Sequence, residues 1–336
     1  MINYFYNKDI GARASQQDSV TIQEKDGVVF IVLGDGMGGH KGGEFASKTL
    51  IETAISFFNK SFDKNNITNF LDSIIQETIN KLTIHAKKTN TDPRTTAAFA
   101  VIVENDVYFA NIGDSRVYLF KEDGLVTRSR DHSIPEMLFQ AGEIKEDEIA
   151  THPDQNKLLK SVGPNSQDQL THYKYSFKEN EEFAVLVCSD GLWEYVTSQE
   201  MQNFIFRDEP QVTIDKMITI AKNKGKERGD NISVGIFVKK IENKNIQNKA
   251  SKNSKIYILL LVVFLIGGYF IFQNNNSKNT NIDKKIENNN SQNKIENNST
   301  NKKSKNKVDK NILKRNSLQK NYQTKLKDNN LSKKDI

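Results

Sequence analysis

The apolar segment VVFIVL at residues 28–33 constrains the fold of this chain more than any other feature. Its six residues are apolar without interruption, whereas a strand with one face in solvent alternates apolar and polar side chains. We therefore predict a strand that is buried on both faces. Such a strand needs a layer of structure on each side, which favours a layered domain.

The order of the predicted elements favours an α+β fold. Strands at 2–6, 19–24 and 28–33 precede two helices at about 43–60 and 67–88, the second with apolar residues at helical spacing. Short strands and one helix near 210–224 follow, the strands in TTAAFAVIVE, DVYFANIG, SRVYLFK, QLTHYKYSF, EFAVLVCSD and NISVGIFVK. Because the helices come in blocks, we predict an α+β sandwich and not a Rossmann sheet.

Charge divides the chain into unlike parts. Of its 336 residues, the first 240 carry 28 Lys and Arg against 35 Asp and Glu, whereas the remainder carries 20 against 7 and is rich in Asn. A segment of 240 residues can bury a large core as one domain. We predict this domain at 1–240, a basic linker at 241–255 and, beyond an apolar segment, an Asn/Lys-rich disordered tail at 273–336.

The apolar segment at 256–272 predicts a membrane anchor. As a helix, its 17 residues would extend about 25 Å, at the short end of what spans a hydrocarbon core. A buried core helix is the alternative, but the polar tail offers nothing to bury it. Slightly more Lys precede the segment than follow it, so we expect a single-pass protein of the cell membrane with a cytoplasmic domain and an outer tail. The lone Cys188 and a start without a signal-peptide pattern agree with this location.

The segment GDGMGG at 34–39 has the glycine spacing of a dinucleotide-binding turn, but its other residues argue against that function. Asp35 lies among the glycines, where its carboxylate would repel a pyrophosphate. Glu52, at the spacing of a ribose-binding acid, falls in a predicted helix. Lys41 is followed by glycine, which excludes a Walker A loop.

Aspartates lie at the ends of five predicted strands. Each alone could serve a turn, since Asp-Gly favours turns. As a set they would repel one another unless cations neutralised them, and oxygen ligands without His or Cys select hard ions such as Mg²⁺ or Mn²⁺. Two such ions can activate a water for in-line hydrolysis of a phosphoryl group. The five are Asp18, Asp35, Asp114, Asp190 and Asp230.

Eight motifs, in this order, resemble the protein phosphatase 2C family of metal-dependent protein phosphatases in its bacterial form. They run from about residue 3 to residue 238 and read GARASQQDS, GDGMGGHKGGEFAS, TTAA, NIGDSRVY, RDHS, HPDQNKLLKSVG, SDGLWE and GDNISV. The resemblance implies an α+β fold, a four-layer α/β/β/α sandwich. Its two central sheets would be mainly antiparallel, with a binuclear metal site at one edge.

The resemblance also implies a set of metal ligands. Asp35 would bridge two ions, Mn²⁺ or Mg²⁺. The second ion would also be bound by Asp18 and by the carbonyl of Gly36, whose missing side chain lets the backbone approach closely. Asp190 and Asp230 would complete the coordination of the first ion.

Two further roles follow from the same resemblance. Asp190 with Asp114 would form a weaker third metal site. Arg13 would bind the substrate phosphate, for which a guanidinium is suited. Because a metal-activated water would attack phosphorus directly, no cysteine nucleophile is required, and we expect Cys188 to be a core residue.

The chain departs from the family pattern at four positions. Met37 stands where some members carry a histidine implied as general acid, so proton donation here would fall to water or another group. Gln16 replaces the usual Asn, Arg94 replaces a Gly, and Lys160 replaces an Arg. None of these changes removes a metal ligand.

The substrates implied by the resemblance are proteins that carry phosphoserine or phosphothreonine. Bacterial members often oppose a Ser/Thr protein kinase, so such a kinase and its substrates are the expected partners. Two alternatives stay open, a catalytically silent phosphoprotein- or ligand-binding domain of the same fold and a tethered protein that binds polyanions through its basic tail. Because Tyr322 is the single aromatic residue of the tail, no nucleic acid partner is expected.

Overall fold

The structure, a computed structural model, describes residues 3–37 and 40–241, which contain twelve strands, six α-helices and two short 3₁₀ helices. The strands are β1 (Tyr4–Asp9), β2 (Ser19–Lys25), β3 (Val28–Gly34), β4 (Gly36–Met37), β5 (Arg94–Thr95), β6 (Ala97–Val103), β7 (Asp106–Ile112), β8 (Arg116–Lys121), β9 (Gly124–Arg128), β10 (Thr171–Ser176), β11 (Phe183–Cys188) and β12 (Ile232–Lys239). The helices are α1 (His40–Ser61), α2 (Ile67–Thr89), α3 (Ile134–Gln140), α4 (Asp190–Trp193), α5 (Ser198–Ile205) and α6 (Pro210–Gly225).

The strands form two five-stranded antiparallel sheets. The first sheet has the order β10-β7-β6-β3-β2, and the second has the order β1-β12-β11-β8-β9. A short ladder of β4 and β5 stands apart from both. One apolar cluster lies between the two sheets, a second lies between the first sheet and helices α1 and α2, and a third lies between the second sheet and helices α4 to α6. The expected four-layer α/β/β/α sandwich is therefore confirmed.

Strand β3 is buried on both faces, as its uninterrupted apolar sequence predicts. All seven of its residues are buried. Phe30 and Val32 pack toward the helices, whereas Ile31 and Leu33 pack toward the other sheet. Successive side chains of a strand point to opposite faces, so a strand in an inner layer of a sandwich must be apolar at every position.

The long elements have nearly the bounds that the sequence predicts, whereas some of the short ones are not predicted. Helices α1 and α2 extend the predicted ranges by at most three residues, and the inward face of α2 is the apolar stripe at helical spacing. Strand β1 lies farther along the chain than the predicted strand at 2–6. The sequence patterns do not predict α3, α4 and α5, because helices of at most eight residues are too short to define a helical period. Strand β9 is also not predicted, since it has only two apolar side chains, Leu125 and Val126.

Within the described ranges, no helix is both long and apolar enough to cross a membrane. The predicted linker at 241–255, apart from residue 241, and the predicted anchor and tail lie outside the described residues.

Candidate metal and phosphate site

Two aspartates lie next to each other at the edge of the first sheet because β2 and β3 run antiparallel. Ser19 pairs with Gly34 in the ladder between these strands. The residue beyond each member of this pair is an aspartate, Asp18 before β2 and Asp35 after β3. An antiparallel pair places the end of one strand beside the start of the other, so distant parts of the sequence supply neighbouring carboxylates.

The same rule brings carboxylates from the second sheet. Cys188, the last residue of β11, pairs with Val234 near the start of β12. Asp190 follows β11 at the start of α4, and Asp230 precedes β12 by two residues. Asp114 comes from the first sheet, two residues after β7 ends.

These side chains meet at a cavity of about 810 Å³. The predicted site residues in its lining are Arg13, Asp35, Gly36, Asp114, Asp190 and Asp230. Asp18 is not in the lining and is only 2% exposed, yet its charge interacts with those of Asp190 and Asp230. The structure thus brings together every site residue that the sequence predicts, while the role of each stays a prediction.

Burial and mutual repulsion raise the pKa values of several carboxyl groups at the site. Burial is the largest cause, and it raises the pKa of Asp18 to about 8 and that of Asp190 to about 6, with repulsion from neighbouring carboxylates adding to both. The pKa values of Asp35 and Asp114 are raised well above the ordinary range for the same reasons. Glu194, which no sequence pattern assigns to the site, has its pKa raised to about 8 by burial and by the nearby aspartates.

The unpaired oxygens of this cluster fit divalent cations. Asp18 Oδ2 and Asp190 Oδ1 are buried and have no hydrogen-bond partner in the described part of the chain. A buried carboxylate oxygen without a partner is costly, and a cation would remove both that cost and the repulsion. Among the described residues, no group of three or more His, Cys, Asp or Glu side chains is placed to hold a metal ion by itself. Mg²⁺ is usually bound by one or two carboxylates with several waters, so an open carboxylate cluster suits it.

Asp35 is held in place by residues that the sequence analysis did not assign to the site. Its backbone N–H donates to Thr96 Oγ1 at 2.9 Å, and the Thr96 N–H donates to the Asp35 carbonyl at 2.8 Å. Thr96 Oγ1 lies 2.6 Å from Ser115 Oγ, on the loop that carries Asp114. The only sequence signal for this role is the TTAA motif, in which two hydroxyl residues precede an apolar strand.

Asn231 ties the segment that carries Arg13 to the start of β12. Its side-chain oxygen accepts from the Gln17 N–H at 2.7 Å, and its Nδ2 donates to the carbonyls of Ile10 and Ser15 at 2.9 and 3.0 Å. An Asn after Asp230 in GDNISV could have indicated such a bridge. Because Asn231 is 4% exposed, these three bonds are shielded from water and define the path of residues 10–17.

Gln16 shows why one departure from the family pattern is tolerated. Its Oε1 accepts from the Asp18 N–H at 3.0 Å, and its Nε2 donates to the Asp9 carbonyl at 2.9 Å. The longer amide therefore supports the backbone of Asp18 from within the same loop.

Arg13 reaches the cluster from the solvent side. Its Nη2 donates to Asp230 Oδ2 at 2.7 Å, while 58% of its side chain is exposed. The guanidinium is therefore mobile enough to exchange partners and close enough to bind an oxyanion next to the carboxylates.

The structure gives no catalytic role to Cys188 or Met37, in agreement with the sequence. Cys188 is fully buried in the core beneath the second sheet, and burial raises the pKa of its thiol. Met37 lines the cavity but has no proton to donate. Lys160 is absent from the cavity lining, which contains Lys157 instead.

Gly36→Ala is expected to disrupt the site. A β-carbon at this position would collide with the backbone of Gly43 and with the carbonyl oxygen of Gln17. Because backbone atoms cannot move aside as a side chain can, we expect the free energy of unfolding to fall by about 2 kcal/mol or more, together with weaker Mn²⁺ binding. Thermal unfolding and calorimetric titration with Mn²⁺ measure the two effects.

Gly229→Ala is the matched control, because the nearest heavy atom to its new β-carbon would lie at 3.6 Å, an ordinary contact. This variant is expected to stay within about 0.5 kcal/mol of the wild type. Equal stability of both variants would contradict the close approach at Gly36.

Comparison with known proteins identifies the family. The sequence matches the family model described as protein phosphatase 2C over residues 8–208. It is 28% identical over 227 residues to the serine/threonine phosphatase stp of Listeria innocua, a match that covers 66% of this chain and 88% of that relative. This coverage leaves about a third of the chain outside the match.

Solved structures agree at the level of the fold. The serine/threonine phosphatase Stp1 of Staphylococcus aureus superposes with a TM-score of 0.65 at 26% identity, covering 72% of this chain and 96% of that one. The catalytic domain of the phosphatase PstP, solved in complex with two manganese ions, superposes with a TM-score of 0.61 at 23% identity, covering 70% and 98%. The chain belongs to the protein phosphatase 2C family.

Proposed function

We propose that this protein is a metal-dependent protein serine/threonine phosphatase that removes phosphate from phosphoserine and phosphothreonine. The observation that carries the proposal is the convergence of four strand-end aspartates and Arg13 at one cavity of about 810 Å³, with Asp18 buried close enough for its charge to act on Asp35. No short motif could supply this arrangement, because its members come from both sheets. The cofactor is Mn²⁺ or Mg²⁺, the metals used by the family.

In this proposal, the carboxylates bind the metal ions. Asp18, Asp35, Asp190 and Asp230, with the carbonyl of Gly36, would hold two ions, and Asp114 would add a weaker third site. When bound, such ions supply Lewis acidity and lower the pKa of a water, so that it can attack phosphorus at neutral pH. The backbone bonds to Thr96 and Gln16 keep Asp35 and Asp18 oriented for this task.

Arg13 would bind the phosphoryl oxygens of the substrate. To do so it leaves the carboxylate of Asp230, whose charge a cation would then balance. A planar guanidinium can donate two parallel hydrogen bonds to a phosphate, which orients the phosphorus as well as holding it. Because Met37 has no proton to give, the leaving oxygen would be protonated by water in the open cavity.

A catalytically silent binding domain of the same fold is less favoured. A domain that only bound a phosphoprotein would not need the buried carboxylates, whose repulsion costs stability without a cation. The chain retains all of them. Its relatives in Listeria innocua and Streptococcus pneumoniae are named as phosphatases.

We further propose that the protein is a single-pass protein of the cell membrane that opposes a Ser/Thr protein kinase. The support is the apolar segment at 256–272, together with the excess of Lys before it, which favours a cytoplasmic phosphatase domain and an outer tail. A tether would place the enzyme beside membrane-bound kinases and their substrates. Carbonate extraction of cell membranes tests the anchor, since a peripheral protein would be released and an anchored one retained.

The enzyme proposal is tested by hydrolysis of matched phosphopeptides by the purified full chain. We expect release of phosphate from phosphothreonine and phosphoserine peptides with Mn²⁺ or Mg²⁺ and none in excess EDTA. Phosphotyrosine peptides of the same sequence are the specificity control and are expected to react more slowly. A folded protein without activity in either metal would overturn the proposal and favour the silent binding domain.

A further inference from the structure

Arg94 is a second arginine of the cavity, and neither metal binding nor binding of the scissile phosphate assigns it a role. Resting on the proposed function, we infer that Arg94 determines specificity by binding an anionic group of the substrate that flanks the scissile phosphate. The group would be a carboxylate or a second phosphate. Arg94 would thereby favour phosphorylated sites in acidic sequences.

The backbone places Arg94 close to the predicted reaction centre. In the ladder of β4 and β5, Arg94 pairs with Met37, which is two residues beyond Asp35. Two residues beyond Arg94, Thr96 makes the two hydrogen bonds that hold Asp35. Arg94 also lines the same cavity as the aspartates. A substrate bound at the carboxylates would therefore extend past this side chain.

The guanidinium of Arg94 keeps hydrogen-bond donors for a ligand. Its Nε donates to Asp92 Oδ2 at 2.8 Å, and its Nη1 donates to Ser161 Oγ at 3.3 Å, which is a long bond. Nη2 makes no hydrogen bond to the part of the chain that the structure describes. The side chain is 37% exposed. Because a guanidinium has five N–H donors in a fixed fork, three of them have no partner in the described part of the chain.

Packing restricts the orientation of this side chain. Gly163 lies directly against it, since a β-carbon at residue 163 would be 2.8 Å from Cγ and 3.0 Å from Nη1 of Arg94. The neighbouring residues Thr95 and Val162 are joined by two backbone hydrogen bonds of 2.9 and 2.8 Å. The arginine therefore lies on a fixed surface, which lowers the entropy cost of binding an anion.

The other cations of the cavity are differently engaged. Arg13 donates to Asp230 at the metal cluster, and Lys157 pairs with Asp154 at 2.7 Å with 65% of its side chain exposed. Arg94 forms its ion pair with Asp92 through Nε, and its Nη1 makes only the long bond to Ser161. It is thus the cation of the lining best arranged for a bidentate anion other than the scissile phosphate.

The test is a panel of phosphothreonine peptides that differ only in the flanking residues, which are Ala, Glu or a second phosphothreonine. With the full chain and Mn²⁺, we expect kcat/KM to be about tenfold higher for the acidic flanks than for Ala, the effect of one charged hydrogen-bonded pair. Comparison of the Glu and phosphothreonine arms identifies which anion is preferred. The same peptides, labelled for fluorescence anisotropy, report binding independently of turnover.

Arg94→Gln is expected to reduce the preference to about twofold or less, mainly through KM, whereas Arg94→Lys retains part of it because the charge remains. Gly163→Ala is expected to act in the same direction by displacing the guanidinium. Arg207→Gln removes an equal charge from an exposed residue outside the cavity lining and is expected to keep the preference.

A wild type without preference for acidic flanks, or an Arg94→Gln variant that keeps the preference, would overturn the inference. Failure of the proposed function looks different, because then no peptide of the panel would be hydrolysed. In that case the anisotropy measurements still decide the role of Arg94, since weaker binding of the acidic peptides by Arg94→Gln supports it and unchanged binding overturns it.

Discussion

Asp35→Asn and Asp190→Asn are each expected to lower kcat/KM for phosphothreonine peptides by about a thousandfold or more. Each substitution removes an anionic oxygen from the centre of the carboxylate cluster. Losing about 4 kcal/mol of the transition-state stabilisation that divalent ions supply corresponds to about a thousandfold in rate. Steady-state phosphate release with saturating Mn²⁺ measures the loss.

The stability of these variants separates a catalytic defect from misfolding. The introduced Asn side chain is neutral, whereas the carboxylate that it replaces is repelled by its neighbours. In EDTA, both variants are therefore expected to unfold at a temperature no lower than that of the wild type. Asp215→Asn, an exposed residue outside the cavity lining, is the control and should keep both activity and stability. Activity within tenfold of the wild type in either variant would show that its carboxylate is dispensable.

The metal-free protein is expected to lose stability as pH rises from about 5 to about 8. The folded pKa values of Asp18 and Asp190, about 8 and about 6, lie above the ordinary value of 3.8. The folded state therefore binds more protons than the unfolded state in this window, and stability falls with pH. A loss of a few kcal/mol would lower the unfolding temperature by about 5 °C or more.

Divalent cations are expected to reverse this trend, since they favour the ionised carboxylates. Thermal unfolding of the full chain in EDTA and in Mn²⁺ across this pH range measures both effects. In EDTA, Asp18→Asn should unfold at a higher temperature than the wild type at pH 8 and show a shallower pH dependence. A metal-free stability that rises between pH 5 and pH 8 would contradict the raised pKa values.

Part of the site could be predicted from local patterns. Asp35 and Asp190 each follow an uninterrupted apolar strand and precede a glycine, and Asp114 and Asp230 also flank apolar segments. A strand end followed by a carboxylate is visible in one short stretch of sequence. The positions of these aspartates therefore needed no tertiary information, only the expectation that inner strands end at one edge of a sandwich.

The supporting residues could not be predicted in this way. Thr96 holds Asp35 from the junction of β5 and β6, and Asn231 holds the Arg13 segment from more than 200 residues away. Their contacts depend on which strands are neighbours and on the register between them. The raised pKa of Glu194 could not be predicted from its motif, because it results from burial and from the nearby aspartates.

The sequence by itself determined the α+β layering and the family of this protein, because continuous apolar strands, amphipathic helices and motif order are local properties. The tertiary structure alone decided that Arg94 faces the cavity, since this depends on the pairing with Met37 and on the space that Gly163 leaves open. The physical reason is that burial and hydrogen-bond partners are set by contacts between distant segments, which the antiparallel register creates.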